Sequence, residues 1–263
     1  MNVRELIACI EEMAPVSGAA PWDKSGVQIA GTIGDIERIA VTIDPSPAAM
    51  AEALEWNADF ILTHHPLYME PKPLDRPGFF LDVARQTLTR GTWLYAAHTS
   101  LDVRPEGPAG WLARELELDE PRVMEQTDPG NPMVGFGLVG RLPAPMGWDA
   151  FADRLGACVE RDFWVTTGQI PERIDSVAYC TGSGGSLIPA AEASGAQVYI
   201  TGDIKYHQAL ESNIFIIDVG HFSLEETMTR ILAETLASRL SGRHDAEVRF
   251  FPGREPFALR AGR

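Results

Sequence analysis

Basic residues are scarce in this 263-residue chain, where 22 Lys and Arg stand against 37 Asp and Glu for a net charge of −15. A surface that neutralises nucleic-acid phosphates needs the opposite balance, which argues against nucleic acid as a partner. The only regional basic enrichment is Arg243, Arg249, Arg254, Arg260 and Arg263. Cysteine is scarcer still: Cys9, Cys158 and Cys180 are far apart among apolar neighbours, forming neither a disulfide framework nor a Cys-x-x-Cys metal knuckle. No run approaches the ~18 apolar residues of a membrane span, and Arg4, Glu5, Glu11 and Glu12 replace a signal-peptide pattern, so a cytoplasmic protein without a membrane partner is expected. Also missing are a Gly-x-Ser-x-Gly elbow, a cysteine beside a histidine, and a Walker or Rossmann fingerprint, which leaves covalent catalysis and the standard nucleotide loops without support. Low-complexity segments are absent as well, and 45% hydrophobic with 22% charged residues describes a chain that folds.

What is present is an α/β rhythm. Val3, Leu6, Ile7, Ile10 and Met13 recur at helical spacing until Pro15 stops them. Strand-like Arg38 to Ile43, Phe60 to Thr63 and Trp93 to Ala97 then alternate with helical Pro47 to Trp56 and Phe79 to Leu88. The pattern resumes with strands at Val134 to Leu142, Asp162 to Val165, Ser176 to Cys180, Gln197 to Thr201 and Ile214 to Asp218. Helices are expected over Trp148 to Cys158, Leu187 to Ala193, just after Tyr206 and over Ser223 to Leu240, with a last edge strand at Glu247 to Phe251. Such alternation implies a largely parallel sheet.

The two parts of the chain can be laid over each other. Arg38-Ile-Ala-Val-Thr-Ile-Asp44 and Asn57-Ala-Asp-Phe-Ile-Leu-Thr63 match Asp175-Ser-Val-Ala-Tyr-Cys-Thr181 and Gly195-Ala-Gln-Val-Tyr-Ile-Thr201 at offsets of 137 and 138 residues. His98-Thr-Ser-Leu-Asp102 similarly matches His221-Phe-Ser-Leu-Glu225. Duplication is the favoured reading, with halves at 1–125 and 126–263 and the C-terminal helix packing back on the first.

Four of the six histidines sit at predicted strand ends, where open parallel sheets bind ligands: His64, His65, His98 and His221. Asp102 and Glu225 each follow a histidine by four residues. Taken singly, each has a plain structural reading: His64-His65 as strand-end punctuation, Asp102 as a turn residue, and Ser223 with Glu226 as a capping box that leaves Glu225 complementing a helix terminus. Together, His64, His65, Asp102, His221 and Glu225 form a set suited to zinc, iron, manganese or cobalt, with carboxylates able to bridge two divalent metal ions. His98 is placed beside that set, to orient a ligand or move a proton. Gly182-Ser-Gly-Gly-Ser186, centred on Gly184, and Lys205 are candidate contacts for a substrate phosphate, against a tight turn and a surface helix start.

These segments resemble a known family. Trp22-Asp-Lys-Ser-Gly-Val-Gln28, Ala58 to Leu67 with its Thr-His-His-Pro, Ala97-His-Thr-Ser-Leu-Asp102, Thr201-Gly-Asp-Ile-Lys-Tyr-His207 and Asp218 to Glu225 are similar to the Nif-three-like dinuclear-metal hexamer family, also called type-two GTP cyclohydrolase homologues. The resemblance implies a three-layer α/β/α fold with two related, intertwined halves, a toroidal homohexamer and a two-metal centre with ligands at His64, His65, Asp102, His221 and Glu225. The short span from Glu120 to Val134 leaves no room for the central domain that some members insert. Lys24, Ser25, Ser100 and Gln208 depart from the family pattern, and none is a presumed ligand. The implied function is a dinuclear-metal hydrolase acting on a guanine nucleotide or a phosphoester. The alternative is a non-catalytic, metal-binding hexameric assembly or regulatory protein.

Overall fold

The computed structural model describes residues 1–260; Arg263, one of the basic cluster noted above, lies outside them. In chain order the elements are α1 (Val3–Met13), β1 (Gly26–Ile29), β2 (Arg38–Thr42), α2 (Pro47–Glu55), β3 (Phe60–Thr63), α3 (Phe79–Arg90), β4 (Trp93–Ala96), α4 (Thr99–Asp102) and α5 (Trp111–Glu115). Then follow β5 (Asp119–Gln126), β6 (Gly135–Met146), α6 (Trp148–Cys158), β7 (Val165–Thr167), β8 (Ile174–Ser183), α7 (Ile188–Ala193), β9 (Val198–Gly202), α8 (Tyr206–Glu211), β10 (Phe215–Asp218), α9 (His221–Leu240) and β11 (Glu247–Phe250).

Two sheets result, with strand orders β1-β4-β3-β2-β11 and β5-β6-β8-β9-β10-β7. In the first, β2, β3 and β4 are parallel and β1 pairs antiparallel with β4. In the second, β8, β9 and β10 are parallel and β7 pairs antiparallel with β10. Each half thus sends an early strand to the far edge beside its third parallel strand, a correspondence that supports duplication. The halves intertwine at the end of the chain, where β11 joins the first sheet alongside β2.

Period-two burial explains the layering. Ile39, Val41, Phe60, Leu62 and Tyr95 of the first sheet share a core with Val177, Tyr179, Val198, Ile200 and Ile217 of the second, and Leu224, Met228, Leu232 and Leu236 of α9 fill the space with them. The alternate residues Ala40, Ile61 and Leu94 face outward onto Met50, Ala53 and Leu54 of α2 and Val83 of α3. On the second sheet, Ala178, Tyr199 and Ile216 meet Leu187, Ile188 and Ala191 around α7. Helices therefore cover both faces of each sheet, and α9 lies in the layer common to both.

Three expectations need correction. The strand expected at 162–165 forms instead at Val165–Thr167. The segment Asp119–Gln126 is a strand that the sequence reading left as connector; it is a mostly exposed edge strand whose register slips beside Pro121, so it shows no apolar alternation. The last long helix starts at His221, not Ser223, because Gly220 at φ 87° lets the chain turn into it two residues earlier.

Candidate metal centre

The C-terminal ends of the parallel strands deliver the site. His64 and His65 directly follow β3. The single turn of α4 after β4 carries Asp102, and the first two turns of α9 after β10 carry His221 and Glu225. The four-residue spacing places His221 and Glu225 on one helical face, with His221 Nε2 at 2.7 Å from Glu225 Oε2. The first sheet supplies His65 Nε2 at 2.9 Å from the same oxygen and His64 Nε2 at 3.4 Å from Glu225 Oε1. Asp102 Oδ1 is 3.9 Å from His64 Nε2.

Every imidazole of the group is fixed through Nδ1. His64 is fully buried and meets the carbonyl oxygen of Ala97 at 2.9 Å, which only a protonated Nδ1 can do. His65 Nδ1 meets Asp44 Oδ1 at 2.7 Å, His98 Nδ1 meets Asp23 Oδ1 at 2.6 Å, and His221 Nδ1 meets Asp203 Oδ2 at 2.7 Å. The four Nε2 atoms are left to face one another's surroundings. Anchoring of this kind selects the tautomer and fixes the ring plane that metal ligation requires. Asp23 is itself held, since its Oδ2 accepts from Ser25 Oγ, Thr99 N and Thr99 Oγ1. Ser25, a departure from the family pattern, therefore serves the orientation of His98 and does not approach the cluster itself.

The charges are mutually dependent. Burial opposes ionisation of Glu225, yet His64, His65 and His221 outweigh it and hold its carboxyl well below the usual carboxylate range. Burial likewise opposes a proton on His65 and His221, but Glu225 with Asp44 or Asp203 pushes them up, to about 10 and about 9. Asp102 moves the other way: burial raises its pKa, His64 lowers it and the charge of Glu225 raises it again.

Two observations fit this cluster to a cation. Buried His64 Nε2 has no hydrogen-bond partner among the described residues, and three imidazole Nε2 atoms crowd the buried carboxylate of Glu225 at 2.7–3.4 Å. Buried polar atoms left in this way are costly unless something positively charged completes them. Moreover, the possible ligand atoms of His64, Asp102 and Glu225 lie within 4.8 Å of one another, as do those of His65, His221 and Glu225, and those of His64, His65 and His98. Glu225, His64 and His65 each belong to two of these sets.

The amino-acid sequence as a whole agrees with this geometry. A family model described as Duf34/NIF3 (NGG1p interacting factor 3) matches residues 1–256. The chain belongs to the Duf34/NIF3 family. Among its relatives, a Nostoc protein named "GTP cyclohydrolase 1 type 2 homolog" is 32% identical over 90% of this chain and 92% of its own. A Pasteurella multocida protein of the same name is 30% identical over 95% and 97%. The fold matches that of a Bacillus cereus protein related to NIF3, with a TM-score of 0.89, 20% identity and 99% of each chain covered.

Against the sequence expectations, His64, His65, Asp102, His221 and Glu225 do converge, and His98 stands with His64 and His65. Gly184 and Lys205 do not join them. The Gly184 N–H donates to Thr201 Oγ1 and its carbonyl accepts from the Tyr199 hydroxyl, so it has no free amide to offer a phosphate. Lys205 is exposed at the start of α8 and lines none of the cavity beside the cluster. The capping-box reading also fails: Ser223 Oγ donates back to Val219 and Gly220, and Glu226 accepts the Gly253 N–H. The basic C-terminal stretch is engaged internally, with Arg254 on Glu52 and Arg249 over Trp56 and Phe251.

The sequence reading gave no role to Asp23, Asp44 or Asp203, and took Gly182 only as part of the glycine-rich turn. Gly182 has φ 62°, and a methyl group there would overlap Glu225 Oε1 and lie 3.3 Å from His221 Nε2. The repeat carried a usable signal for Asp203, which occupies the place in the second half that His65 occupies in the first.

Proposed function

We propose that this chain is a metal-dependent hydrolase whose centre takes two divalent ions and acts on a small molecule. The buried carboxylate of Glu225, which lies within ligand distance of both a His64–Asp102 and a His65–His221 set, is the observation that carries the reading. His64, Asp102 and Glu225 would hold one ion and His65, His221 and Glu225 the other; the mixed nitrogen and oxygen donors suit zinc, iron, manganese or cobalt. When bound, such ions lower the pKa of water toward neutrality and polarise the bond to be broken.

The remaining chemistry belongs to the chain. Asp23, Asp44 and Asp203 keep the ring planes of His98, His65 and His221 fixed, while the Ala97 carbonyl does so for His64. His98 presents Nε2 beside His64 and His65, placed to take up or return a proton once Asp23 holds its Nδ1 proton. The names of the relatives support a cyclohydrolase-like opening of a guanine nucleotide ring as the first reaction to test, with phosphoester hydrolysis second. Exposed Tyr206 and Leu210 on α8 support assembly into a homo-oligomer, for which the family resemblance implies a hexamer.

The test is metal content by elemental analysis, then turnover of GTP and a phosphoester panel, with His64→Ala and Glu225→Ala as controls. Metal-dependent turnover lost in both variants is the expected result. Turnover that survives both removes the hydrolase, and stoichiometric metal with no turnover favours a non-catalytic metal-binding assembly. Light scattering reports the oligomer in the same preparation.

A further inference from the structure

A cavity of about 370 Å³ opens beside His65 and His221. It is large enough for a small organic molecule. Among its lining residues Arg161 is the only Lys or Arg, and its side chain is 15% exposed. The guanidinium lies 4.5 Å above the Phe163 ring, and a methyl group at Gly220 would overlap it, so the group is clamped between an aromatic face and a bare glycine next to His221.

That guanidinium is unspent. Asp218 Oδ1, its partner in the structure, is 3.9 Å away, and the Asp218 oxygens already accept from Gly220 N and Ile204 N, each at 2.9 Å. No side-chain hydrogen bond of Arg161 occurs among the described residues. The other carboxylates of the cavity have donors of their own: Asp44 takes His65, Asp203 takes His221, and Glu255 takes Phe257 N. What the cavity has left to offer is therefore donor capacity, in the planar fork that fits carboxylate and phosphate. Its apolar walls include Phe222 and Phe257.

We propose that Arg161 is a specificity-determining residue, which takes the carboxylate or phosphate of a substrate whose apolar or planar body lies between Phe222 and Phe257. That the far end of such a molecule reaches the His65–His221 edge for reaction rests on the metal-centre reading; the anion subsite itself does not. An anion held by Arg161 next to Gly220 has its body directed along the cavity toward the first turn of α9.

Calorimetric titration tests this on the full chain, metal-loaded and metal-stripped, with phenyl phosphate, benzoate and benzyl alcohol as probes. Wild type is expected to bind at least one of the two anions, and which one it prefers assigns phosphate or carboxylate. Arg161→Ala should weaken that anion about tenfold or more in both metal states, Arg161→Lys should recover only part of it, and benzyl alcohol should be unaffected. Unchanged metal uptake by Arg161→Ala shows the fold intact. Equal anion binding by wild type and Arg161→Ala, or no binding of either anion to wild type, overturns the proposal. If the chain takes up no metal while the Arg161 dependence persists, the metal-centre reading fails and the anion subsite stands.

Discussion

Gly182→Ala separates the demands of the metal cluster from those of the backbone. The added methyl group has two consequences. At φ 62° an L side chain is strained, at a cost of about 1–2 kcal/mol. In addition the methyl overlaps Glu225 Oε1 and lies 3.0 Å from the carboxyl carbon, so the carboxylate must retreat by about 1 Å. Metal–ligand distances tolerate only about 0.2 Å. Glu225 is 4% exposed and sits between His64, His65 and His221, so a shift moves it relative to those rings. Since changes to the partners of ligands already cost about 10–100-fold in metal affinity, displacing the shared carboxylate should cost at least about 100-fold.

Gly195→Ala is the matched control. Gly195 also has a left-handed backbone, φ 78°, but nothing lies within 4 Å of a methyl group built there. It should lose similar stability in the metal-free protein, a few degrees of Tm for a chain of this size, and bind metal as wild type does. The assays are competitive metal titration with a chromophoric chelator and thermal unfolding of the stripped protein. Wild-type metal affinity in Gly182→Ala would falsify the placement of Glu225 at the centre of the site; equal metal loss in Gly195→Ala would show strain, not intrusion, to be the cause.

Other consequences follow from the same geometry. Asp44→Asn and Asp203→Asn should each weaken metal binding about 10–100-fold while leaving the metal-free fold intact by circular dichroism, because they release ring planes and remove no ligand. Metal uptake at neutral pH should release protons, since His65 and His221 titrate near 10 and 9 without metal; calorimetry in buffers of different ionisation heat should show the release, and apparent affinity should rise with pH. In the metal-free protein the stabilisation from those two protons is complete below about 6.5, the unfolded value, and fades as pH rises through 9 to 10. Asp23 gives the opposite limb: burial opposes its charge, but His98, Ser25 and Thr99 hold its carboxyl well below the ordinary 3.8, so its contribution is present above that value and is lost as pH falls further. Asp23→Asn should flatten the acid side of the stability profile measured by denaturant titration, and an unchanged acid limb would count against the linkage.

How far the site could be read from sequence depended on whether a residue's job was written in its neighbours. The buried strands Phe60–Thr63 and Val198–Gly202 were legible because both faces of a parallel strand are apolar. The edge strand Asp119–Gln126 was not, because charge on an edge guards against stray pairing and erases the apolar period. Ligand residues stood out as histidines at strand ends followed by an acid at i+4. Their anchors did not, since Asp23 lies 75 residues from His98 and Asp203 lies 18 from His221, separations at which only the folded sheet order brings the pairs together. The glycine turn misled for a related reason. A backbone amide looks free in sequence, and only the structure shows Thr201 already occupying the one at Gly184.

The correspondence between the two sheets accounts for the asymmetry of the centre. Corresponding strand ends carry His65 after β3 and Asp203 after β9, and corresponding helix starts carry Asp102 and Glu225. In the first half the strand end points an imidazole into the cluster; in the second it offers a carboxylate that holds His221 from outside. A centre in which both halves supplied ligands at every equivalent position would leave His221 without the Asp203 carboxylate that holds its ring. Dividing the roles instead lets a single buried carboxylate, Glu225, be reached from both sheets, with His64 and His65 approaching from one and His221 from the other. The cluster therefore depends on the two sheets keeping their relative position. The elements that fix it are α9, packed between them, and β11, which carries the end of the second half back into the first sheet. Destabilising β11, for example by Val248→Pro at a position paired with Ile39, should loosen metal binding although no residue of β11 is a candidate ligand. Hydrogen exchange would show that loosening as lost protection at the start of α9, and retained protection there together with full metal affinity would refute the mechanical link.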